Sequence, residues 1–168
     1  MKKLCVLSLI VLMTACANPK QQPFEEQFSQ HREKIEQSCD NPQDRKGCQI
    51  LGEAHYKGWG VAKDYAKAAF YSQQACEAGF ADSCFNLGLL YQKGKGVPRD
   101  YKKAIEFYSK ACNGNNAQAC NNLGVLYNKG FGVAPNAAKA RYYFHKSCQI
   151  DRNKVKNNNA SYGCYNLK

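Results

Sequence analysis

Between about residues 47 and 148 the apolar positions recur at helical rather than strand spacing. Leu51, Leu87 and Leu123 are each followed four residues later by a ring, at His55, Tyr91 and Tyr127, which places Leu and ring on one helix face. The segments continue into Gly58-x-Gly60-Val61, Gly94-x-Gly96-Val97 and Gly130-x-Gly132-Val133. Lys67-Ala68, Lys103-Ala104 and Lys139-Ala140 then lead a second apolar run. Every register repeats after 36 residues, so the chain is a tandem array.

Each unit predicts two helices. The first covers roughly 47–57, 83–93 and 119–129, and the second ends near Cys76, Cys112 and Cys148. The Gly pairs stop the first helix, because Gly adopts the left-handed conformation beyond a helix end at least cost. Asp64, Asp100 and Asn136 stand where a short side-chain oxygen can accept from the free amides of the second helix. Gly52, Gly88 and Gly124, inside the first helices, each weaken them by about 1 kcal/mol relative to Ala. Their recurrence predicts close approach of the partner helix. Before the array, Phe24, Phe28 and Ile35 fall at helical spacing and predict a lone capping helix over 24–38. After it, Arg152–Asn159 reads as an exposed Lys/Asn-rich loop, followed by a clipped first-type helix at Cys164-Tyr165-Asn166-Leu167.

The amino terminus follows a different pattern. Met1-Lys2-Lys3 precedes ten apolar-rich residues, Leu4–Met13, too few to span a bilayer and suited to the core of an export signal. Leu12-Met13-Thr14-Ala15-Cys16 resembles a bacterial lipoprotein signal. That resemblance implies cleavage after Ala15 and lipidation of Cys16, and Ala17, in a Gram-negative host, implies the outer membrane. Residues 1–15 are thus expected to be a signal peptide and 16–23 a polar, Pro-punctuated tether. The expected location is the cell envelope. Ten cysteines in 168 residues agree with export to an oxidising compartment. Cys5 leaves with the signal and Cys16 goes to the lipid. The other eight, Cys39, Cys48, Cys76, Cys84, Cys112, Cys120, Cys148 and Cys164, allow 105 pairings in general.

The motif Leu87-Gly88-x-x-Tyr91-x-x-Gly94-x-Gly96-Val97-x-x-Asp100-x-x-Lys103-Ala104, with Tyr108-Ser109-Lys110-Ala111-Cys112, resembles the Sel-one-like (SLR) repeats, relatives of the tetratricopeptide repeat, and in particular their cysteine-rich secreted branch. The resemblance covers about residues 24–168. It implies an all-α, right-handed αα solenoid with repeats near 48–83, 84–119 and 120–155 and half-repeat caps at 24–47 and 156–168. It also implies disulfides that join consecutive cysteines: Cys39 with Cys48, Cys76 with Cys84, Cys112 with Cys120, and Cys148 with Cys164. Local departures are His55 for Tyr, Ser72 where Tyr108 and Phe144 stand, and Ser147 for Ala.

Members of this branch are associated with penicillin binding and slow β-lactam hydrolysis. No Ser here has Lys three positions on, and neither Ser-Asp-Asn nor Lys-Thr-Gly occurs, so no catalytic residue is assigned. His31, His55 and His145 lie in separate units. His55, at a Tyr register, is expected to be a packed, hydrogen-bonded ring, and no metal or cofactor is expected. Tyr56, Trp59, Phe85 and Phe131 fall outside the core ladder of rings and are candidate contact residues. The charge of +11, of which cleavage would remove Lys2 and Lys3, is distributed by the repeat, with Lys57, Lys93 and Lys129 as a stripe. It suits an anionic envelope surface or an acidic protein, and no nucleic acid is expected as a partner.

In such a stack the first helices line the concave side. Residues off their Leu/ring stripe are the candidate groove: Glu53, Tyr56, Asn86, Leu89, Gln92, Asn122, Val125 and Asn128. Carboxamides both donate and accept, as a peptide backbone does. The favoured expectation is a lipid-anchored envelope protein that binds a protein or peptide there, as a scaffold or adaptor. The alternatives are a weak β-lactam-binding or hydrolysing protein and an immunity protein against a secreted toxin.

Overall fold

The computed structural model describes residues 24–155, with side chains from 31 to 153. The expected signal peptide, Cys16, the tether, the side chains of Phe24 and Phe28, Cys164 and the cap at 156–168 lie outside the described residues.

Seven α-helices follow one another among the described residues: α1 (Phe24–Asp40), α2 (Lys46–Lys57), α3 (Tyr65–Glu77), α4 (Ala81–Lys93), α5 (Tyr101–Asn113), α6 (Ala117–Lys129) and α7 (Ala137–Val155). They form three hairpins, α2–α3, α4–α5 and α6–α7, stacked as an αα solenoid, with α1 packed on α2 as the leading cap. The first helix of each hairpin ends on Gly58, Gly94 or Gly130, all left-handed (φ between 65° and 81°), whose amide returns to the carbonyl four residues back. The second helix starts on a side-chain cap. Asp64 Oδ1 accepts from the amides of Ala66 and Lys67 at 3.0 Å, Asp100 Oδ1 does the same for Lys102 and Lys103, and Asn136 Oδ1 accepts from Lys139 at 2.8 Å. The Lys67 amide bond is the main reason that the Asp64 carboxyl titrates below the usual carboxylate range.

Close approach explains the glycines inside the first helices. A Cβ at Gly88 would stand 2.6 Å from the Tyr108 ring, one at Gly124 2.4 Å from Phe144, and one at Gly52 2.8 Å from Ser72 Oγ. Ser72, the departure at this register, and its counterparts Tyr108 and Phe144 are thus the partners of these glycines. The core runs between the two helix layers, with Leu51, Leu87, Leu90, Leu123, Leu126 and Tyr108 fully buried. Beside it the ring pairs His55–Tyr71, Tyr91–Phe107 and Tyr127–Tyr143 stack nearly parallel at 5.5–5.7 Å, one pair per repeat. His55 is buried, and its Nδ1 lies 3.3 Å from the Ala62 carbonyl, which can only accept, so Nδ1 carries the proton.

Disulfides close the junctions between helix pairs. Cys39–Cys48, Cys76–Cys84 and Cys112–Cys120 have Cα separations of 4.5, 4.6 and 4.8 Å, and each loop closure of eight or nine residues stabilises by about 2.5 kcal/mol on the chain-entropy account. Cys148 is disulfide-bonded as well. Buried Ser147 donates from Oγ to the Ala117 carbonyl at 2.8 Å, which ties α7 to the start of α6. One expectation is corrected here. Arg152–Val155 is helix rather than loop, because Ile150 keeps α7 seated in the core and no Gly or Pro interrupts the residues that follow.

Candidate functional site

The first helices α2, α4 and α6 form one layer, in which α2 lies directly against α4. Their off-stripe residues therefore share a surface, and at its centre is a side chain from the other layer. Tyr108, on α5, fits into the space that Gly88 leaves on α4 and is fully buried. Its hydroxyl donates to Gln92 Oε1 on α4. The Asn122 amide on α6 faces the Tyr108 hydroxyl oxygen, and Tyr56 on α2 lies in the same region. Burial dominates, so the Tyr108 pKa is pushed well above that of free tyrosine. Phe85 tilts over the Tyr108 ring at 5.9 Å.

Two residues of the sequence-derived groove, Gln92 and Asn122, thus meet at one hydroxyl from successive repeats, with Tyr56 of the preceding repeat in the same region. Of the others, Leu89 packs on the core below this surface, and Asn86 and Val125 are half-buried. Asn128 is exposed. Glu53 forms a 2.6 Å i,i+4 ion pair with Lys57, so the acid in this set is matched by a cation on its own helix. Tyr56 also meets Tyr65 edge-on at 5.6 Å. Of the other contact candidates, Trp59 lies under the Lys57 ammonium (3.8 Å) and Phe131 stacks on Tyr101 at 5.2 Å. These two belong to the rim formed by the Gly-x-Gly loops.

Sequence reasoning missed Tyr108, which the repeat assigns to the core. One signal could have found it. At this register the three repeats carry Ser72, Tyr108 and Phe144, so Tyr108 is the only ring there with a hydroxyl to satisfy.

The site offers carboxamide donors and acceptors, phenol hydroxyls and flanking apolar surface. Gln92 accepts through Oε1 and keeps two amide N–H donors for a ligand or water. Among the described residues no three His, Cys, Asp or Glu side chains gather as metal ligands would. An open cleft of about 420 Å³, lined by Pro42, Asp44, Arg45, Lys46 and Phe80 among others, lies on the disulfide edge, away from this cluster.

The family model described as Sel1 repeat matches residues 46–80, 81–116 and 117–150, units that begin at or beside the first residues of α2, α4 and α6. No curated protein sequence matches. Among solved structures, a Sel1 repeat protein from Oxalobacter formigenes is similar at 28% identity and TM-score 0.69, over 77% of this chain and 53% of that one. A protective antigen of uropathogenic Escherichia coli with an SLR fold matches at 28% identity and TM-score 0.67, over 76% of this chain and 26% of that one. The cysteine rich protein B of Helicobacter pylori matches at 28% identity and TM-score 0.59, over 76% of this chain and 91% of that one. The chain thus spans about half the length of the first of these and about a quarter of the second.

Proposed function

The chain belongs to the Sel1 repeat family, and from that premise we propose that it is an envelope scaffold or adaptor whose first-helix groove holds an extended peptide segment of a partner protein. The observation that carries this reading is that Gln92 and Asn122 meet at the Tyr108 hydroxyl with Tyr56 of the preceding repeat nearby, which brings polar groups of three repeats onto one face. A peptide backbone alternates donors and acceptors, and primary carboxamides complement both. Val125 and the ring of Phe85, both half-buried, provide apolar surface on the same helices for side chains.

Asn86 and Asn128 test the reading cleanly, because among the described residues neither holds another part of the chain. Peptides selected from a displayed library on the intact protein should bind at least about tenfold more weakly to the Asn86→Ala/Asn128→Ala double variant, at about 0.7 kcal/mol per lost hydrogen bond, while thermal stability is unchanged. Equal affinity for the double variant would place the binding face elsewhere.

Membrane attachment through Cys16 is the second part of the proposal. Leu4–Met13 and the Thr14-Ala15-Cys16 sequence support it, and several acyl chains on Cys16 would hold the protein at the outer membrane. Cys16→Ser should release the protein from the membrane fraction. Continued membrane association would count against lipidation.

A further inference from the structure

The solenoid has two long edges of opposite composition. One carries the Gly-x-Gly loops with the helix ends on either side, residues 57–67, 93–103 and 129–139. The other carries the disulfide junctions, residues 39–49, 75–85 and 111–121. The loop edge holds ten Lys and Arg against two Asp, whereas the junction edge holds two Lys and Arg against four Asp and Glu. All ten cations of the loop edge are exposed. The loop edge thus carries a net +8 and the junction edge a net −2.

Rings are interleaved with these charges. Lys57 lies over Trp59 at 3.8 Å, Lys95 over Tyr65 at 4.8 Å and Arg99 over Tyr101 at 5.7 Å. Phe131 stacks on Tyr101 and is 42% exposed. Successive loops are also nested. A Cβ at Gly96 would stand 2.2 Å from the Tyr65 carbonyl carbon, and one at Gly132 2.5 Å from Tyr101 Cβ, so each loop rests on the second helix of the repeat before it. The edge is one continuous rim rather than three independent loops.

We propose that this rim lies on the anionic phosphate surface of a phospholipid bilayer. A single carboxylate or phosphate could meet only a few of ten charges dispersed over three repeats, whereas a planar headgroup layer can meet all of them. Trp and Tyr rings beside Lys and Arg suit the depth at which headgroups meet acyl chains. The tether proposed above, residues 16–23, spans at most roughly 28 Å when extended, so an acylated Cys16 would keep the rim within reach of the same membrane. Rim and groove adjoin at Tyr56 and Tyr65, but the rim cations lie outside the candidate groove.

The test uses the full chain with Cys16→Ser, which cannot be acylated, and vesicles of phosphatidylcholine alone or mixed equally with phosphatidylglycerol. Any contribution of the apolar segment Leu4–Met13 is common to all variants. The chain should favour the anionic vesicles by at least roughly tenfold at 0.1 M salt, and less as salt rises. Replacing Lys63, Lys93, Lys102 and Lys129 with Gln should abolish that preference. Replacing Lys34, Lys46, Lys110 and Arg152 with Gln, an equal loss of charge away from the rim, should leave it within about twofold. Circular dichroism confirms that each variant is folded. Equal losses in the two variants, or no preference for anionic vesicles, would overturn the proposal, and so would a rim that binds soluble acidic proteins but not vesicles.

Discussion

Ser72, Tyr108 and Phe144 occupy the same register of the three second helices, each facing a glycine of its own hairpin. The glycines respond to this difference. Gly88→Ala would gain about 1 kcal/mol in helix propensity but drive a methyl into a ring held on its far side, a clash of about 1–3 kcal/mol. A lower denaturant midpoint is expected for Gly88→Ala, with a smaller loss for Gly52→Ala, where Ser72 Oγ can rotate away. The reverse order would mean that the close approach is not what selects Gly. The Tyr108 hydroxyl gives a pH signature. Burial raises its pKa in the folded state, so an unfolded chain loses this proton first, near pH 10, while the native chain retains it. Its contribution to stability is complete below that pH and declines as pH rises further. Unfolding measured from pH 9 to pH 11 should therefore show a shallower alkaline loss for Tyr108→Phe than for the wild type. Some slope should remain, because burial raises Tyr143 as well. At this scale the sequence foretold that Gly52, Gly88 and Gly124 face a partner helix. It did not reveal that Gln92 and Asn122 meet on one hydroxyl, since a period assigns residues to registers but not to the neighbour that a side-chain tip reaches.

Helix boundaries were legible because punctuation repeats with the period: an Asp or Asn cap, a left-handed Gly, a junction between cysteines. Asp100→Ala removes two hydrogen bonds accepted from backbone amides at the start of α5 and should cost about 1 kcal/mol, measurable as a shift in urea midpoint. Asp64 should behave differently with pH. Its carboxyl is held below the ordinary range, so its contribution is present above the unfolded-state value of 3.8 and disappears as pH falls through the lower folded-state value. Asp64→Asn should flatten the acid limb of stability below about pH 4. The carboxyl end of α7 was misread for a physical reason. Lys- and Asn-rich composition indicates exposure, but exposure does not end a helix whose preceding turn is anchored by Ile150 and Cys148.

In the whole molecule, stacked hairpins separate three surfaces: the polar face of the first helices, a basic rim of loops and a disulfide edge. The repeat determines the layers, and residues outside its ladder of rings, such as Trp59 and Phe131, supply what is particular to this chain. Peptide binding at the first-helix face is the central claim, and cross-linking in living cells tests it most directly. A photoreactive residue at Asn86, in the groove, is compared with one at Phe70 on α3, which is 60% exposed. The account predicts a discrete adduct from position 86 that is lost when Asn128→Ala is added, and none from position 70. The same adduct from both positions, or an adduct from position 70 alone, would contradict it.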